Sequence, residues 1–160
     1  ACCSLGILTL AQCGGSSSDA EGLAPSTIGS KVLNMMVTGI TDAAIDLPDI
    51  LNITTGDNGA FIAQTQGEDI DMWNGAGIYS YTKTGKNTAE LSLSYNRNDG
   101  SSSEPNTLVS TIRIPQLTFE NASHASSGEG GASISYMKAE DRQPIPIDGI
   151  TISVNIISQS

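Results

Sequence analysis

Beyond Cys13 the chain has no cysteine, and it has one histidine and seven basic residues against seventeen acidic ones. Each scarcity removes a class of function. Cys2, Cys3 and Cys13 all lie at the N-terminus, so no disulfide staples the remaining residues and no thiolate set can hold a metal there. A net charge of −10 leaves no basic face for a phosphate backbone, which excludes nucleic acid as a partner. The same charge is repelled by an anionic bilayer, so membrane attachment falls to a lipid or an apolar segment. Aromatic residues are few (two Phe, four Tyr and Trp73), too few for the stacked platforms of a typical sugar site. The apolar run Leu5–Ala11 is too short to span a bilayer as a helix. No window has the 3.6-residue apolar period of a long amphipathic helix.

Period-two alternation is present in quantity. In Gly77–Tyr95, Tyr79 and Tyr81 alternate with Ile78, Ser80 and Thr82; after the break at Thr84–Asn87, Ala89, Leu91, Leu93 and Tyr95 alternate with Glu90, Ser92 and Ser94. Two such runs about a Gly/Asn break predict a β-hairpin with one buried face. Val32–Gly39 predicts a strand with Leu33, Met35 and Val37 on one side. Ile50–Thr55 and Ala60–Thr65 flank the turn Gly56-Asp57-Asn58-Gly59. Thr107–Ile114, Gln116–Asn121, Gly131–Lys138 and Gly149–Ser158 continue the pattern, with a bulge or an edge expected at Pro115 because it lacks an N–H. Thr41–Asp49, Gln66–Ala76, Asn96–Asn106, Ala122–Gly130 and Ala139–Asp148 read as connections. The expected fold is all-β: one antiparallel barrel or sandwich of about eight strands over 31–160, with a flexible N-terminal tail.

That tail has two parts. Residues 1–13 end in Leu10-Ala11-Gln12-Cys13, which resembles the lipobox of a bacterial lipoprotein signal peptide, with Gln12 in place of the usual small residue. The resemblance implies lipidation at Cys13 and placement at the cell envelope, outer membrane or extracellular surface. Residues 14–30 begin Gly14-Gly15-Ser16-Ser17-Ser18-Asp19, the composition of a flexible tether.

The run G-x-Y-x-Y-x-K-T-G-x-N-T-A-x-L-x-L at Gly77–Leu93, continued by Leu117-Thr118-Phe119 and Ser126-Ser127-Gly128, resembles a recurring segment. It is found in secreted and lipoprotein β-domains of verrucomicrobial and planctomycete-type bacteria. The resemblance covers residues 75–137, implies a small, somewhat lipocalin-like barrel or half-barrel, and carries no catalytic residues to transfer.

Candidate chemistry is sparse. His124 sits in a Ser/Ala/Gly stretch with no G-x-S-x-G nucleophile elbow elsewhere, and so reads as an exposed loop histidine. Glu68, Asp69 and Asp71 precede Trp73; carboxylates beside an aromatic suit sugar contact, and Asp69 with Asp71 is the one pair a hydrolase could use. Asp42, Asp46 and Asp49, or Asp57 with Asn58, offer loop oxygens without the spacing of a calcium loop. Neither a metal nor another cofactor is expected. A barrel interior lined by Leu91, Leu93, Ile112 and Tyr136 could take a small apolar ligand. The leading expectation is a lipid-anchored envelope or surface β domain that binds or builds and does not catalyse. The alternative is a fibre subunit that assembles with copies of itself by adding its N-terminal apolar segment as a strand to a neighbour.

Overall fold

The computed structural model describes residues 22–38, 50–66, 73–97, 108–137 and 143–158. They form β1 (Lys31–Thr38), β2 (Ile50–Thr55), β3 (Ala60–Thr65), β4 (Gly75–Lys83), β5 (Thr88–Arg97), β6 (Leu108–Asn121), β7 (His124–Ser126), β8 (Ala132–Met137) and β9 (Pro144–Ser158). Each strand from β1 to β6 pairs antiparallel with the next, and β9 returns to pair with β1 from Lys31↔Ser158 to Thr38↔Thr151. The sheet is therefore a closed up-and-down barrel of eight strands. The ninth strand, the three-residue β7, is additional. It shares with β8 the place between β6 and β9, β7 pairing at Phe119 and Val154 and β8 at Ile112 and Ile150.

Alternation decides which side chains face inward, because successive residues of a strand point to opposite faces. Leu33, Met35, Leu51, Ile53, Phe61, Leu91, Leu93, Ile112, Ile114, Ile134, Ile150 and Ile152 are all 3% exposed or less and belong to one cluster. Eight strands enclose an interior just wide enough for side chains to fill, and each such burial contributes about 1.5–3 kcal/mol. Asn, Ser and Thr alternate with them on the outside. This polarity is the reverse of a membrane-spanning barrel, whose apolar band faces outward.

Three local features shape the ring. Gly77 stands between Phe61 and Tyr95 in one cross-strand row. A Cβ there would strike the Ser94 carbonyl oxygen and Tyr95 Cβ. Its absence lets the Phe61 and Tyr95 rings meet edge-to-face across the glycine, with centroids 5.3 Å apart. The register slips between Ala89↔Leu117 and Leu91↔Ile114, so the expected irregularity at Pro115 is a bulge inside a continuous β6, where the sequence suggested two separate strands. A second slip, at Asp148-Gly149, uses φ +76° at Gly149 and bends β9 where β7 gives way to β8.

Other boundaries also differ from expectation. Pro144 and Pro146 were expected in a connection, yet both lie in β9. Among the described residues Pro144–Ile147 pairs with β8 only, so no described ladder on its other side calls for a proline N–H. His124 lies in β7 and not in a loop. Residues 22–30 fall in the stretch assigned to the flexible tether, but Ala24 and Ile28 are each only 2% exposed and join the core. The packed domain thus takes in residues from Gly22.

Candidate functional site

Strand direction gives the barrel two unlike rims. The connections 56–59, 84–87 and 122–123 all turn at one rim, and the main chain from Gly22 to Ser30 crosses it. Leu23 N–H donates to Asn87 Oδ1 at 3.0 Å and Ala24 N–H to the Lys86 carbonyl at 3.1 Å. Two inward phenols reach down to the same layer. Tyr81 donates to the Pro25 carbonyl and Tyr79 to the Gly56 carbonyl, both at 2.8 Å. Burial pushes the Tyr81 phenol up to about 12, and burial, then the nearby Asp57 carboxylate, raises that of Tyr79. Thr55 Oγ accepts the Lys31 N–H at 3.1 Å and donates to the Ile28 carbonyl. This rim is sealed.

At the opposite rim β1, β3, β5 and β8 end and β2, β4, β6 and β9 begin. The residues joining them, 39–49, 67–72, 98–107 and 138–142, lie outside the described set. By sequence they carry ten of the seventeen acidic residues against two basic ones, Lys138 and Arg142. Trp73, the last residue before β4 but one, is 1% exposed and part of the core at this end. Its ring is not on the surface, so sugar stacking on it would require the end of the barrel to open. Asp69 and Asp71, proposed beside it, fall outside the described residues, as do Asp42, Asp46, Asp49 and Cys13.

The remaining sequence candidates are built into structure. His124 Nδ1 donates to Asn155 Oδ1 at 2.6 Å, and Nε2 lies 3.9 Å from Glu120 Oε2 on the outer wall. The neighbouring hydroxyls are engaged elsewhere, Ser123 Oγ with Asn121 and Ser126 Oγ with the Gly128 N–H. Asp57 accepts Ser30 Oγ, which ties the turn to the residue before β1, and Asn58 Oδ1 accepts the Ala60 N–H within the turn. Among the described residues no group of three or more His, Cys, Asp or Glu side chains is placed to hold a metal. Leu91, Leu93 and Ile112 are buried in the core cluster; the hollows described below lie elsewhere, and the Tyr136 side chain is outside the described set.

One feature escapes a reading of the sequence by averages. On the outside of β4, Ala76 between Asn74 and Ile78 presents only a methyl group, and the flanking Gly75 and Gly77 keep the backbone there bare. Ile62 on β3, Val109 on β6 and Ile78 below rise around it, at 56%, 48% and 69% exposure. The register puts Ile62 opposite Ala76, Ala76 opposite Asn96, and Asn96 opposite Val109, so Ala76 is the low point of the row, flanked directly by Ile62 and Asn96. Three shallow hollows of about 460, 280 and 370 Å³ meet at Ala76. They are open to solvent, so a small molecule there would be left largely uncovered. The legible signal was isoleucine at outward positions next to a small-residue run. Comparison of the chain with protein-family models, with curated proteins and with solved structures finds no match.

Proposed function

We propose that this protein is a tethered β-barrel of the bacterial cell envelope or surface, lipid-anchored through Cys13, which acts by binding and not by catalysis. The observation that carries this reading is the opposition of the two rims. The chain enters the barrel at the sealed rim, where Gly22–Ile28 is packed and hydrogen-bonded. An anchor upstream of Gly22 would hold that rim toward the membrane and turn the other rim away from it. The long connections leave from the outward rim, and loops on a rigid scaffold are where binding residues concentrate. Their ten carboxylates suit a cationic or neutral, hydrogen-bonding partner and oppose an anionic one.

The alternative fibre subunit needs an open strand edge to receive a neighbour's segment. Among the described residues each strand has a neighbour on both sides for part of its length, and Pro144–Ile147, paired there with β8 only, carries two prolines that cannot donate to an added strand, which favours the tethered barrel.

Two measurements test it. The intact mass and N-terminal peptide of the protein from its native cells should show a diacylglycerol-modified Cys13. An epitope inserted in 98–107 should be labelled on intact cells, whereas one placed just before Gly22 should be labelled far less. An unmodified chain retaining Leu5–Ala11, or equal labelling of both epitopes, would sink the proposal.

A further inference from the structure

The tripeptide Asn-Gly-Ala occurs twice in this chain, at Asn58–Ala60 and at Asn74–Ala76, and the fold gives the two copies different settings. An asparagine followed by glycine is prone to close a ring on itself, because asparagine is labile and no Cβ screens the glycine nitrogen. We infer that Asn58 is a site of spontaneous conversion to aspartyl and isoaspartyl residues, which loosens the sealed rim, and that the fold protects Asn74. The inference stands whether or not Cys13 is lipidated.

Asn58 is exposed in the turn between β2 and β3, and Gly59 after it belongs to neither strand. Its Oδ1 accepts the Ala60 N–H at 3.1 Å. That bond spans Gly59, so it folds the side-chain amide back over the Gly59 nitrogen. It also polarises the Cγ carbonyl, the group to be attacked. Asn74 is half-buried, and Thr65 on β3 holds its Oδ1 twice, through the N–H at 2.7 Å and Oγ at 3.1 Å. Gly75 is paired with Ala63 on one side and Arg97 on the other. The side chain of Asn74 is drawn across to β3 while the next peptide is held in the sheet. Ring closure there requires β4 to part locally from its neighbours.

At Asn58 the Gly59 nitrogen gives its proton to hydroxide and bonds to Cγ. The bond from Cγ to the side-chain nitrogen breaks, and that nitrogen takes a proton from water and leaves as ammonia. The cyclic imide then adds water. Cleavage at Cγ gives aspartate; cleavage at the main-chain carbonyl gives isoaspartate, whose backbone runs through Cβ and Cγ. Either product sets a new carboxylate beside Asp57, which already accepts Ser30 Oγ at 2.9 Å. Isoaspartate also lengthens a turn that the Gly56 N–H closes on the Ala60 carbonyl at 2.8 Å. The Gly56 and Gly59 carbonyls of this turn accept the Tyr79 hydroxyl and N–H, each at 2.8 Å. The turn that lengthens is therefore the one that ties β4 and Ser30 to the sealed rim.

Peptide mapping by mass spectrometry of the full chain, aged at mildly alkaline pH, tests this. The peptide holding Asn58 should gain the amide-to-acid mass difference and split into two isomers, the isoaspartyl one marked by enzymatic methyl transfer. The peptide holding Asn74 should convert at least about tenfold more slowly in the folded chain, and within about twofold of the same rate in urea. Asn58→Gln, whose amide must close a larger ring, should abolish the conversion. Its melting temperature should stay constant on ageing, while that of the wild type falls by a few degrees. An Asn58 that keeps its amide in the folded chain, an Asn74 that converts as fast, or a rate difference that persists in urea overturns the proposal. A converted wild type that melts unchanged overturns the loosening of the rim.

Discussion

The two ends of this barrel are closed by opposite means. At one, closure is distributed: main-chain bonds from Leu23 and Ala24, two phenols and the Thr55 hydroxyl each supply a share. At the other, among the described residues, the largest buried side chain is Trp73, in one cluster with smaller aliphatic ones such as Val37 and Leu51. Distributed closure lets any single tie be lost at modest cost. Closure weighted on one large ring concentrates the cost in one residue. That is the division expected where one end is scaffold and the other carries recognition.

The sharpest way to break this contrast is Trp73→Ala. Removing a buried indole should cost about 3–5 kcal/mol in urea unfolding. A cost below about 1 kcal/mol would mean that the ring does not close its end. Next comes Gly77→Ala, two residues along β4 from its start. Its Cβ meets backbone, so β4 must move from β5 at about 1–3 kcal/mol, and the Phe61–Tyr95 contact should loosen. Near-ultraviolet circular dichroism would register that change.

Tyr81→Phe probes the distributed end. Loss of its bond to Pro25 should cost about 1 kcal/mol at neutral pH. The phenol's folded pKa lies above its ordinary value of 10, so its contribution is complete below pH 10 and is lost as pH rises toward about 12. The wild type should therefore destabilise across that interval, and Tyr81→Phe should destabilise less steeply. The smallest effect is expected on the outer wall. Ile78→Ser should change monomer stability by less than about 0.5 kcal/mol, because the side chain is already mostly in water.

What could be read from the sequence followed from period two. β2 and β3 have the expected bounds, and the buried face of β5 is Ala89, Leu91, Leu93 and Tyr95 as alternation required. The misses are places where a tertiary partner overrode a local signal. Pro144 and Pro146 read as loop because a strand ordinarily needs both ladders, and among the described residues this stretch has one. Ala24 and Ile28 carry no periodicity in a Gly/Pro/Ser stretch, and only the barrel mouth explains their burial. Trp73 sits in a polar segment, so its neighbours suggested a surface ring. The choice of barrel over sandwich depended on β9 meeting β1, a pairing across almost the whole chain that no window of sequence contains.

That last pairing has a consequence for how the molecule can be made. Every other neighbour in the ring is joined by a short or moderate connection, so the strands can zip in order, each onto the one before. The seam between β1 and β9 alone must wait until the sheet has curled upon itself, and it bears the largest loop-closure entropy. With Lys31 beside Ser158, a linker between the ends of the domain would turn the seam into an ordinary hairpin. The chain could then be opened anew within one of the long connections and retain the same order of strands around the ring.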